Sequence, residues 1–377
     1  MGLRSVTIGY GYPQVMEAAL LEMEKGNSMP RASHTELDAA EVITDLIPCA
    51  DMVKFAKNGS TVTTAAVKLA RAYTKREYVA ICSEHPFFSY DDWFIGSTVI
   101  QKGIPDTSKE LTLKFKYNDL ESVKALFKNY PGQIAAVILE PATSTPPTAN
   151  FLRELKTICK EHQTVLIFDE MITGFRWHLQ GAQKYYDVEP DLATFGKGMA
   201  NGFSVAALVG KRELMDLGGI LEQGQERVFL ISSTHGAEMS GLGAFIKTVE
   251  LYKELDVVGH MWEYGKKLID GMNAIAKDYG IQDYFYLGGY PCSPVYIAKD
   301  KTANISFEMK TLFAQEMAES NILMDYLAIS YSHTSKELEM TLEAAQKALR
   351  SYAQALDSDV HKYLKSRVVK PVFRKFN

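Results

Sequence analysis

Asp169 and Lys197 stand 28 residues apart, the first at the end of an apolar run and the second inside a glycine-flanked turn. The run Thr164-Val165-Leu166-Ile167-Phe168 reads as a buried strand that ends in Asp169-Glu170. The lysine lies in Phe195-Gly196-Lys197-Gly198-Met199. An amine held in a turn can condense with an aldehyde, and a carboxylate at a strand's end can keep a ring nitrogen protonated. Pyridoxal phosphate requires both: a Schiff base from the lysine, and an aspartate opposite the pyridine nitrogen so that the ring draws in electrons. Neither residue carries the reading alone. A single lysine is usually a solvated charge, and a strand-end Asp can equally cap a helix or hold a ribose hydroxyl.

A second constellation lies upstream. Met52-Val53-Lys54-Phe55-Ala56 reads as a strand, Lys57 to Thr61 as a turn, and Val62 to Tyr73 as a helix with Val62, Ala65, Ala66, Leu69 and Ala70 on one face. Gly59, Ser60 and Thr61 then form a phosphate cup. The glycine lets the backbone approach, the hydroxyls donate, and the free amides of the first helical turn attract an anion. An ordinary capped helix start is the alternative, since Ser and Thr are common N-caps.

With these two constellations in the order and spacing found here, the chain resembles the class III (fold type I) pyridoxal phosphate aminotransferases, in the branch of glutamate-1-semialdehyde aminomutase. The likeness runs from Gly2-Leu3-Arg4-Ser5 to the C-terminal region, and is most specific at Phe168-Asp169-Glu170-Met171-Ile172-Thr173-Gly174-Phe175-Arg176 and around Lys197. It implies Lys197 as the Schiff-base lysine, Asp169 as the pyridinium partner, and Gly59, Ser60 and Thr61 on the phosphate. Met171 would lie against one ring face and Phe87 would stack as the aromatic. Ser233 and Thr234 would reach the phosphate of a neighbouring subunit, which implies a homodimer with shared active sites. Two departures stand out. The family's Tyr-His-Gly turn is here Phe87-Phe88-Ser89, which keeps stacking and loses a phenol and an imidazole. Relatives also carry an N-terminal stretch ahead of Gly2, so the chain is expected to begin inside the fold.

Strand signals alternate with helical ones, as in a parallel sheet wrapped by helices. Tyr78-Val79-Ala80-Ile81 is a strand, Asp119 to Asn129 a helix, and Ile134 to Leu139 a strand ending at Glu140-Pro141; a helix with Phe151, Leu152, Leu155, Ile158 and Cys159 on one face leads into the Asp169 strand. Glu140 therefore reaches the sheet edge where open α/β sheets bind ligands. It either supports the cofactor pocket or is a turn acid beside a proline. Past Glu238 come helical patterns over 241–255 and 258–279, a strand at 294–298, and helices over 306–320 and 335–356. The expected class is a fold type I transferase: a mostly parallel, seven-stranded-type α/β sheet and a smaller C-terminal α+β domain. The expected divisions are 1–37 as an N-terminal segment, 38–261 as the large cofactor-binding domain and 262–377 as the small domain.

The 377 residues are 46% hydrophobic and 23% charged, with a formal net charge of −5, which suits a globular enzyme and argues against a nucleic-acid surface. No apolar stretch is long enough to span a bilayer. Cys49, Cys82, Cys159 and Cys292 show no metal or redox spacing and read as buried thiols of a cytoplasmic protein; the histidines form no metal pattern, although His85 and His235 adjoin cofactor motifs. The activity these readings imply is transfer of an amino group from a small-molecule donor, glutamate first, to the carbonyl of a small metabolite or sugar derivative. An aminomutase needs in addition a loop that closes over the site, and Ser89 to Gly96 does not look like one, so a transaminase ranks first. The alternative of another class is an inactive relative kept as a dimer partner.

Overall fold

A computed structural model describes residues 2–85, 87–221, 223–231 and 234–376. The chain forms two compact units, one made of Arg4–Val6 and Tyr10–Leu255, the other of Met1–Leu3, Thr7–Gly9 and Asp256–Asn377.

The first unit opens with α1 (Pro13–Lys25) and α2 (His34–Leu46), then builds a seven-stranded sheet from β1 (Met52–Ala56), β2 (Tyr78–Cys82), β3 (Thr112–Phe115), β4 (Ile134–Leu139), β5 (Val165–Asp169), β6 (Leu192–Phe195) and β7 (Ala206–Gly210). Their order across the sheet is β1-β7-β6-β5-β4-β2-β3. Strands β3, β2, β4, β5 and β6 run parallel, and β7 lies antiparallel between β1 and β6. Every residue of β4, β5, β6 and β7 is buried. That is the pattern of strands covered on both faces, and it explains why their sequences are continuous apolar runs rather than alternating ones.

Helix α3 (Gly59–Thr74) crosses this sheet against β1, β4, β5, β6 and β7. Its stripe of Val62, Ala65, Ala66, Leu69 and Ala70 is buried, as the periodicity expects. The helix begins three residues earlier than that periodicity suggested. Asn58 caps it, its Oδ1 accepting the Thr61 N–H at 3.0 Å, so Gly59, Ser60 and Thr61 are already helical. The helix Met239–Glu254 packs on α1 and α2. Gly243 permits the close approach, since a Cβ there would lie 2.5 Å from Glu22 Cγ.

The second unit is a hairpin of β8 (Phe285–Tyr290) and β9 (Ser293–Ala298) with the helices Val257–Asp278, Phe307–Glu319 and Ser335–Leu356. Thr334 and Glu337 form a capping box that starts the last helix. Among the described residues no helix is long and apolar enough to cross a membrane.

Candidate active site

Parallel strands deliver their C-terminal ends to one edge, and here that edge collects the chemistry. Leu139 of β4 faces Phe168 of β5, so Glu140 and Asp169 are the next pair along the ladder; Asp169 in turn faces Thr194 of β6. Asp169 is 3% exposed, and its Oδ1 accepts the Met171 N–H at 3.0 Å and the Thr194 O–H at 3.2 Å. Its Oδ2 takes no hydrogen bond among the described residues. Burial pushes the Asp169 carboxyl up to about 6, against the pull of the Lys197 charge and those two donors.

Lys197 opens the short 3-10 turn Lys197–Ala200 directly after β6. Its φ of +46° lies in the left-handed region that residues with a Cβ seldom occupy. Surrounding bonds hold it there: the Met199 N–H donates to the Gly196 carbonyl at 3.0 Å, and the Tyr252 hydroxyl donates to the Gly198 carbonyl at 3.1 Å. Backbone strain of this kind concentrates at functional sites. The Lys197 amine makes no hydrogen bond or ion pair among the described residues, yet its charge acts on both Asp169 and Glu140.

Met171 ties this corner to the helix start. A Cβ at Gly59 would lie 3.1 Å from the Met171 sulfur, and one at Gly196 would lie 2.7 Å from it. Both glycines are thus needed for contact, and Met171, Gly59 and the Lys197 turn form one packed group. At the cup, Ser60 Oγ accepts the Tyr90 N–H at 3.1 Å, which leaves its own proton to donate. Thr61 has spent its proton, donating to Asn58 Oδ1 at 3.1 Å. The first-turn amides of α3 have no carbonyl one turn back to bond and point the positive end of a 16-residue helix at the site.

Glu140 is 5% exposed, and its carboxyl takes no hydrogen bond among the described residues. Burial, then the Asp169 charge, push it up to about 8, with Lys197 and Arg4 acting in the opposite direction. Its backbone N–H donates to His85 Nδ1 at 3.1 Å, and His85 Nε2 is buried with no hydrogen-bond partner among the described residues. Burial lowers His85 to about 4, so the ring is neutral. Phe87 is 46% exposed and meets Phe94 edge-on at 5.7 Å, outside this packed group. Thr234 is exposed, its carbonyl accepting from the Ser28 hydroxyl at 2.7 Å. Ser233 lies outside the described residues. Thr194 was not singled out by the sequence reading, although a hydroxyl in the middle of Leu192-Ala193-Thr194-Phe195 was its signal; Asn58 and Arg4 carried none.

These groups fit pyridoxal phosphate on the chemistry of the donor set. An unbonded amine, an unbonded carboxylate oxygen on a buried Asp, and a helix start with a spare hydroxyl proton match its aldehyde, its ring nitrogen and its phosphate.

Comparison with known proteins agrees. The family model described as aminotransferase class III matches residues 1–288. A 3-aminobutyryl-CoA aminotransferase of Cloacimonas acidaminovorans is 30% identical over 361 residues, covering 93% of this chain and 84% of its own. A glutamate-1-semialdehyde 2,1-aminomutase of Acetivibrio thermocellus is 32% identical over 364 residues, covering 89% and 82%. The fold is shared with an omega-transaminase of Sphaerobacter thermophilus, at a TM-score of 0.83 and 21% identity over 93% of this chain and 85% of that one.

Proposed function

Because the chain belongs to the class III aminotransferases, enzymes that work with pyridoxal phosphate, we propose that it moves an amino group from glutamate to the carbonyl of a small metabolite or sugar derivative. Bound in this site, the cofactor supplies an aldehyde that takes up the donor's amino group and a ring that accepts the electron pair left at Cα. The chain's own residues do the rest. Lys197, with its amine uncharged, would take the Cα proton and deliver it to the carbon on the other side of the shared nitrogen. Asp169, with Oδ2 unbonded, would hold the ring nitrogen in its protonated form. The N-terminus of α3 and the Ser60 hydroxyl would hold the phosphate, Met171 would lie against one ring face, and Phe87, which stands outside the packed group, is the aromatic proposed to stack.

One observation carries the choice of transaminase over aminomutase: the segment that would have to close is pinned. The Tyr90 N–H donates to Ser60 Oγ, Trp93 Nε1 donates to Thr64 Oγ1 at 2.8 Å, and Thr64 Oγ1 donates to Asp91 Oδ2 at 2.5 Å. Trp93 and Phe94 are buried in the short helix Asp92–Ile95. A lid that opens each turnover has few buried contacts, and this segment has many. Relatives named as aminomutases keep that activity as the second reading.

The four cysteines are reduced and buried, which suits a cytoplasmic enzyme. A homodimer sharing its sites through Ser233 and Thr234 is supported by apolar side chains that α1 leaves exposed, Met16, Leu20, Leu21 and Met23, together with Ile220 and Leu221. The test is a half-reaction. Glutamate added to the purified protein should convert the bound aldehyde to its amine form and release one 2-oxo acid per site. Borohydride should fix the cofactor to Lys197 in wild type and not in Lys197→Ala. Isomerised substrate without released oxo acid would move the reading to the aminomutase; a label on another lysine would sink it.

A further inference from the structure

The ladder between β4 and β5 sets two carboxyl groups side by side, and the protein treats them differently. Neighbours across a parallel ladder project on the same face of the sheet, so Glu140 and Asp169 are adjacent, and both are at least nine-tenths buried. Asp169 receives two donors at one oxygen, the Met171 N–H and the Thr194 O–H. Glu140 receives none among the described residues. A third buried carboxyl shows how fully this fold can supply donors: Glu170 accepts from the Thr173 hydroxyl at 2.6 Å and from the N–H groups of Ala182 and Gln183 at 2.7 and 2.9 Å. Unpartnered burial of a charge is costly, and two like charges in contact make it costlier.

We propose that Glu140 is the proton-bearing member of this pair, a neutral carboxylic acid that donates its O–H to an oxygen of the molecule in the site, while Asp169 alone is the anion. The inference rests on the aminotransferase reading above for the identity of that molecule; the placement of the proton does not. The charges facing Glu140 from each side decide where the proton goes. From β5 comes Asp169, from the turn after β6 Lys197, and from the N-terminal segment Arg4. From the segment after β2 comes His85, whose Nδ1 is an acceptor for the Glu140 N–H and therefore carries no proton, leaving the ring without a charge to offer. Glu84, the charge nearest His85, is a carboxylate as well. Lys197 must be uncharged whenever its amine moves a proton, and a protonated ring nitrogen would pair with Asp169, so at that stage Arg4 is the cation the chain itself leaves to Glu140. Of the two, the one without donors holds the proton. The upward displacement is correspondingly larger for Glu140 than for Asp169. A neutral acid here also keeps a second negative charge away from the Asp169 oxygen whose charge the reaction uses.

The experiment is infrared spectroscopy on the full-length, cofactor-loaded protein made by cell-free synthesis with carbon-13 glutamate. The carbonyl stretch of a protonated carboxylic acid should be present at pH 7, shifted by the label, and should fade as the pH rises through about 8. It should vanish in Glu140→Gln, and in Glu140→Asp should move to the unlabelled position, so the assignment survives if either variant fails to fold. Glu140→Gln, which keeps an N–H donor, should lose less cofactor affinity than Glu140→Ala. No labelled band at pH 7, or a band unaffected by both variants, would overturn the inference, as would equal losses in Gln and Ala. Repeating the spectrum on the cofactor-free chain separates the two claims: a band there, in a chain to which added pyridoxal phosphate then fails to bind, leaves the proton on Glu140 and defeats the aminotransferase reading alone.

Discussion

Asp169→Asn separates what the site needs chemically from what the fold needs. The amide oxygen can stand where Oδ1 stands and keep both donors, at 3.0 Å from the Met171 nitrogen and 3.2 Å from Thr194 Oγ1. The amide nitrogen then takes the place of Oδ2 and turns an acceptor into a donor. For the empty fold this is a gain. The carboxyl rises from 3.8 to about 6 on burial, and at about 1.4 kcal/mol per unit its removal relieves up to roughly 3 kcal/mol at neutral pH, less the cost of burying the amide. For the loaded site it is a loss. A hydrogen bond to a charged group contributes about 1.5–3 kcal/mol, so cofactor affinity should fall roughly ten- to a hundredfold. Turnover should fall further, by another factor on the order of 100–1,000, because the charge matters most when the ring is taking up electrons. Thermal melting of the cofactor-free chain, absorbance titration with pyridoxal phosphate, and single-turnover conversion by glutamate measure the three quantities. Melting should rise while affinity and rate fall. A variant that melts lower and binds cofactor as well as wild type would mean that Asp169 is a structural residue, and the chemistry assigned to it would be wrong.

Hydroxyl allocation at the cup gives a second test: Ser60→Ala should weaken phosphate binding about tenfold, whereas Thr61→Val, whose proton already serves Asn58, should weaken it less; the reverse order would refute the allocation. Stability should also depend on pH with a definite sign. Glu140 and Asp169 bind their protons more tightly folded than unfolded, so their contribution is full below about pH 4 and is lost as pH rises through about 6 and about 8. His85 runs the other way, its contribution present above about 6.5 and lost as pH falls through about 4. Above about pH 4.5 the two carboxyls lose more than the one histidine gains, so these groups place the highest melting of the cofactor-free chain near pH 4 to 5, and Glu140→Gln should flatten the decline up to about pH 8; an unchanged decline would remove Glu140 as its source.

Local signals made part of this molecule legible and left part of it dark. Strands β2, β4 and β5 announce themselves because burial on both faces demands unbroken apolar residues, and Asp169 and Glu140 stand out because a carboxylate after such a run has nowhere to go but the sheet edge. Strand β6 is four residues long with a threonine in it, and β8 carries Gly288 and Gly289, so neither outweighs a turn on composition. Helix α1 was blurred by Met16, Leu20, Leu21 and Met23, apolar residues left exposed, which spoil the one-sided stripe that marks a helix. The division of labour between the two carboxyls was beyond any local reading. It depends on β4 lying next to β5 in a particular register, on Thr194 arriving from β6, and on His85 arriving from the end of β2, four segments spread over some hundred residues. A sequence motif fixes which groups are available. Which of them keeps its proton is a property of the neighbours each one meets, and only the assembled sheet supplies those.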